Sequence, residues 1–134
     1  MLIEAATVEV HAARHRHRRD IQERGRLRRL IERVDQVIEA CEETHLQGIK
    51  EVPDDLRSMS ARVFTVARRS VRLTGDQAAF DAVVEIEARR QLKITEVMDC
   101  LWAVQEVVFD LMLPWRAELP EDVDPSELST FSAA

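Results

Sequence analysis

The sequence predicts an all-α fold: a three-helix antiparallel bundle with long first and third helices, coiled-coil-like and completed by oligomerisation. Three observations carry this expectation. Apolar residues recur every three or four positions through nearly the whole chain, the period of a helix face. Only two strong breaks interrupt that rhythm, Val52-Pro53-Asp54-Asp55 and Thr74-Gly75-Asp76, before Pro114 ends it. Three glycines and four prolines in 134 residues are too few to turn the many strands of an all-β domain. This length suits one domain with a core of its own. The expected bundle covers 1–115, with helices at about 2–49, 55–73 and 76–113, and an extended acidic tail covers 116–134.

The first helix is clearest at Leu27, Ile31, Val34, Ile38 and Cys41, spaced four, three, four and three as in a heptad seam. Leu30 and Val37 widen the seam into a bundle face, and the same spacing places His45 in register. Followed towards the N-terminus, the seam reaches Ile3, Ala6, Val10 and Ala13 but meets His17, Asp20 and Arg24 on the way. It is therefore polar over 14–26, with Gly25 a weak point, and we read one long helix with an exposed middle.

Pro53 ends this helix, and Asp54 or Asp55 caps the next. Leu56, Met59, Val63, Val66 or Ala67, Ser70 and Leu73 mark the second helix, which carries five arginines and, past its capping aspartates, no acid. Gly75 stops it and Asp76 starts the third. There Val83, Ile86, Ile94, Val97, Leu101, Val104, Val108, Leu111 and Trp115 follow one seam, while Met98, Trp102, Phe109 and Met112 form a second apolar face. Glu96, Asp99, Glu106 and Asp110 are the polar stripe on that half. A helix so apolar needs cover on several sides, so self-association or docking is expected through the 97–115 end. The contact residues expected are Val97, Leu101, Trp102, Val108, Phe109, Met112 and Trp115, with the two tryptophans as anchors.

Composition narrows the function classes. Apolar residues at 46% and charged residues at 33% fit a globular or coiled-coil protein rather than a disordered one. Tyrosine is absent, so single-stranded nucleic acid would find few stacking platforms. Cys41 and Cys100 sit in apolar stretches as small buried thiols, with nothing to imply a disulfide. The opening MLIEAATVEV is not a signal peptide, and Asp99, Glu106 and Asp110 exclude the apolar 97–113 stretch as a membrane helix. A cytoplasmic location, or a virion if the chain is phage-encoded, is the expectation, with no membrane partner.

Charge falls in blocks. Residues 11–33 hold nine arginines and three acids, whereas 76–134 hold thirteen acids and four bases. Arg14, Arg16, Arg18, Arg19, Arg26, Arg28 and Arg29 are candidates for polyanion or nucleic-acid contact through phosphate, without base reading; the alternative is pairing with the acidic third helix or solvation. His11 and His15 share a helix face at metal-clip spacing, but lack further ligands, as does nearby His17. No metal site and no cofactor is expected.

Two short motifs resemble known families. Glu42-Glu43-Thr44-His45 resembles the Glu-x-x-His element of ferritin-like di-iron bundles, which implies Glu42 and His45 as ligands completed from other helices. Glu96-Val-Met-Asp99-Cys-Leu-Trp is similar to the Glu-x-x-Asp-x-Leu-Trp element of MazG-type all-α nucleotide pyrophosphohydrolases. That resemblance implies Mg²⁺-holding carboxylates at Glu96 and Asp99 opposite a Glu-Glu-x-x-Glu helix, whose nearest counterpart here, Glu39-x-x-Glu42-Glu43, is reversed in order. The function expected is nonetheless non-enzymatic: an assembly or adaptor subunit in a homo-oligomer or larger protein complex. A bacteriophage structural component and a bacterial regulatory scaffold both fit.

Overall fold

The heptad seam of the first segment forms one uninterrupted helix, α1, over Leu2–Leu46 in the computed structural model. The structure describes residues 2–89 and 93–118, with side chains for 14, 16–89 and 93–115. Ile3, Ala6, Val10, Ala13, His11 and His15 lie outside those described side chains, and the tail beyond 118 lies outside the described residues. The seam buries as expected: Leu27, Leu30, Val34, Val37, Ile38 and Cys41 are all in the core, with Ile31 half-buried beside them. Burying each such aliphatic side chain stabilises the fold by about 1.5–3 kcal/mol. His45, in register on paper, is exposed. Its register fails because α1 ends one residue later, at Leu46, and the chain turns at Gly48, whose φ of +84° is the left-handed conformation that ends helices. Gly48 N–H donates to the His45 carbonyl at 2.9 Å. Pro53 is thus not the terminator, and the helix is three residues shorter than the expected 2–49.

α2 spans Asp54–Leu73. Pro53 occupies its N-cap without a side-chain cap, while Asp54 and Asp55 stand in the first turn, where carboxylates favour the positive helix end. The core side of α2 is Leu56, Ser60, Val63, Phe64, Ala67, Ser70 and Val71. Met59 and Leu73, expected on the seam, are instead 40% and 60% exposed. Gly75, at φ +81°, turns the chain, and Asp76 caps α3 by accepting from Ala79 N–H at 3.0 Å.

The expected third helix over 76–113 is two helices. α3 covers Gln77–Ala88 and α4 covers Ile94–Met112, so the described residues hold four α-helices rather than three. The physical reason lies between Ile86 and Ile94, where the seam position four residues from each is Arg90, and Arg89 and Lys93 crowd the same stretch. Lys93 pairs instead with Glu51 in an isolated antiparallel bridge, and Ile94 N–H donates to the Lys50 carbonyl at 2.9 Å. α3 is then free to pack on both α2 and α4, while α4 makes its main contact with α1.

Three pairings mark α4 as antiparallel to α1: Ile94 with Lys50 just past the end of α1, Gln105 with Asp35 between the helices, and Trp115, just past the end of α4, with Asp20. Gln105 is buried and donates its side-chain amide to Asp35, so the polar group is satisfied across the helix pair. A 3-10 turn over Leu113–Glu118 follows α4. Beyond the Trp115 contact α1 runs on as helix for eighteen residues towards Leu2, about 27 Å at 1.5 Å per residue.

Candidate interaction surface

α4 has two apolar faces, as its sequence implies, and the chain covers one. Val97, Leu101, Val104 and Val108 are fully buried. Trp102, Phe109 and Leu113 are 47%, 48% and 47% exposed. Their spacing of seven and four keeps them on one side of the helix, with half-buried Met98 one turn before Trp102. Asp99, Glu106 and Asp110 are exposed along the same helix. The result is an aromatic and aliphatic strip edged by three carboxylates.

The seven expected contact residues therefore divide. Val97, Leu101 and Val108 belong to this chain's own core and are withdrawn from any partner. Trp102 and Phe109 face outward, and Met112 is half-buried against the core. Trp115 is engaged internally: its indole N–H donates to Asp20 Oδ1 at 2.7 Å, and the Arg24 guanidinium lies 5.8 Å from its ring centre. Trp115 thus fastens the end of α4 to α1, which sequence spacing alone could not reveal because its partner is ninety-five residues away.

A second exposed strip lies on α2, where Met59, Arg62, Val66, Arg69 and Leu73 recur at helical spacing; Val66 is half-buried and the rest are exposed. Met59, Val66 and Leu73 read as seam positions in the sequence. The signal that could have reassigned them is Phe64 and Val71, large apolar residues seven apart that claim the inward side. On the opposite flank of α2, Arg68 Nε stands 2.7 Å from Glu87 Oε2 of α3 without hydrogen-bond alignment, so the contact is Coulombic. Arg72 lies 6.0 Å from the centre of the Phe80 ring.

The basic candidates stay on α1. Arg14, Arg16, Arg18, Arg19, Arg28 and Arg29 are exposed and Arg26 is half-buried. None of the seven has an ion-pair partner among the described residues, and the acidic stretch 119–134 lies outside them. Arg16, Arg19 and Arg26, with Asp20, Glu23 and the α2 end at Leu73 and Thr74, line an open groove of about 390 Å³.

The metal-type motifs do not assemble among the described residues. Among the described residues no three His, Cys, Asp or Glu side chains come together to hold an ion. Glu42, His45 and Asp99 are exposed, and one Glu96 oxygen is buried without a hydrogen-bond partner. Among the described residues no opposing carboxylate set joins Glu96 and Asp99, as the Mg²⁺ centre implied by the MazG-type resemblance requires. His17 is exposed. Cys41 and Cys100 are buried free thiols, and burial, assisted by nearby Glu42, raises Cys41 to about 11 and keeps it protonated at neutral pH. No described helix is long and apolar enough to cross a membrane. Comparison with known proteins found no family, no curated protein and no solved structure that matches this chain.

Proposed function

We propose that the chain is a non-enzymatic helical assembly subunit that acts through protein–protein contacts, with the outer strip of α4 as its principal contact. The observation that carries this reading is the alignment of Trp102, Phe109 and Leu113, three large apolar side chains each about half exposed on one helix face. Scattered surface leucines are ordinary, but a continuous aromatic strip edged by charge is the composition of an interface core and rim. Its place is a homo-oligomer or a larger particle, including a virion. Light scattering of the purified chain tests it: association at micromolar concentration is expected, and a strict monomer overturns the self-association reading.

A second reading rests on a different observation, the exposed Arg14, Arg16, Arg18, Arg19, Arg28 and Arg29 of α1, which have no ion-pair partner among the described residues. It assigns them to a polyanion such as a nucleic-acid backbone, bound through phosphate with affinity that falls as salt rises. Replacing Arg14, Arg16, Arg18 and Arg19 by Gln then abolishes heparin and DNA retention. Unchanged retention by that variant removes this reading.

A further inference from the structure

We infer that copies of this chain join head to tail, the outer strip of α4 on one copy seating against the outer strip of α2 on the next. The inference rests on the assembly reading above and names the surface that receives α4. Three properties of the two strips carry it. Each spans roughly 21–23 Å at the helical rise, Met59 to Leu73 on α2 and Met98 to Leu113 on α4. Each presents apolar side chains: Met59 and Leu73 are 40% and 60% exposed on one, and Trp102 and Phe109 are 47% and 48% exposed on the other. Their charges are opposite, Arg62 and Arg69 on α2 facing Asp99, Glu106 and Asp110 on α4.

The alternatives inside the same molecule fit less well. A two-fold pairing of α4 with α4 brings Asp99, Glu106 and Asp110 against their own copies, and like charges across an interface repel. The arginines of α1 supply the right sign, but among the described residues Ile21 is the one exposed large apolar residue between them, too little to cover an aromatic strip. Among the described residues, α2 alone offers charge and apolar area together. Because the two strips are different surfaces of one chain, the contact is heterologous, and it closes into a ring or extends as a filament.

A mixing experiment tests this by native mass spectrometry and sedimentation. One variant, Arg62→Glu with Arg69→Glu, disables the α2 strip; a second, Trp102→Ser with Phe109→Ser, disables the α4 strip. All four positions are exposed, and unchanged circular dichroism and melting temperature establish that both variants fold. Each alone is expected to associate at least about tenfold more weakly than the wild type. Mixed in equal amounts, they form a one-to-one dimer and nothing larger, because one intact strip of each remains. A third variant, which adds Glu106→Arg and Asp110→Arg to the first, recovers association. A monomeric wild type overturns the self-association reading and this inference with it. An associating wild type matched by the Arg62→Glu, Arg69→Glu variant leaves the assembly reading standing and overturns the inference alone. Absence of the mixed dimer overturns the inference in the same way.

Discussion

α2 and α4 are nearly the same length, twenty and nineteen residues, and each buries one side in the same core, yet their outer sides differ in kind. The outer side of α2 is Arg62 and Arg69 with Met59 and Leu73 at its ends, a surface whose long cationic side chains cover part of its apolar area. The outer side of α4 is Trp102, Phe109 and Leu113 with short carboxylates at the edge, which cannot cover rings of that size. Stability of the single chain and exposure of its surface are therefore separate matters. The inner side of α4 is closed by Val97, Leu101, Val104 and Val108, and its outer strip stands apart from that core.

Leu101 and Trp102 are adjacent residues on opposite sides of this divide, and substituting each sharpens it most. Leu101→Ala opens the core and is expected to cost about 2–5 kcal/mol in urea unfolding. Trp102→Ala changes that stability by less than about 0.5 kcal/mol but weakens association by about 2 kcal/mol, as a central aromatic anchor does. Equal effects of the two on unfolding would erase the distinction between inner and outer faces.

Between these falls Cys41, on the α1 seam that both helices pack against. Its folded value is raised from 9.0 to about 11, so the folded state holds its proton longer than the unfolded chain. Stability from the buried thiol is therefore complete below pH 9 and lost as pH rises towards 11, by roughly 2–3 kcal/mol. The urea midpoint of the wild type minus that of Cys41→Ala, followed across this range, measures it; a flat difference would show that the thiol is not held neutral.

The smallest effect expected is on the flank of α2 away from its outer strip. Arg68 is 42% and Glu87 24% exposed in their side chains, so their ion pair is well screened. Glu87→Gln is expected to cost at most about 1 kcal/mol in thermal unfolding, vanishing at high salt. A larger, salt-independent loss would make charge pairing, rather than burial, the link between α2 and α3.

What the sequence could reveal followed from local periodicity. The all-α class, the single long α1, the Asp76 cap and the outward Trp102 and Phe109 were legible because each depends on residues within a few turns. The break between α3 and α4 was not, since the Val83–Trp115 spacing resumes in phase after Ile94 and hides the interruption. Nor was the role of Trp115, whose bond to Asp20 crosses the bundle. Val97, Leu101 and Val108 could not be told from contact residues, because periodicity states that a face is buried but not by what. The α2 strip escaped notice for the converse reason: Met59, Val66 and Leu73 share the spacing of a core seam and are displaced from it only by Phe64 and Val71.

The most direct measurement is sedimentation velocity over a dilution series of the wild type and of Trp102→Ser, Phe109→Ser, with helicity and melting temperature recorded for both. The account predicts a wild type that associates at micromolar concentration and a variant that stays monomeric with an unchanged fold. Identical sedimentation of the two chains, whether both monomeric or both associated, would contradict it.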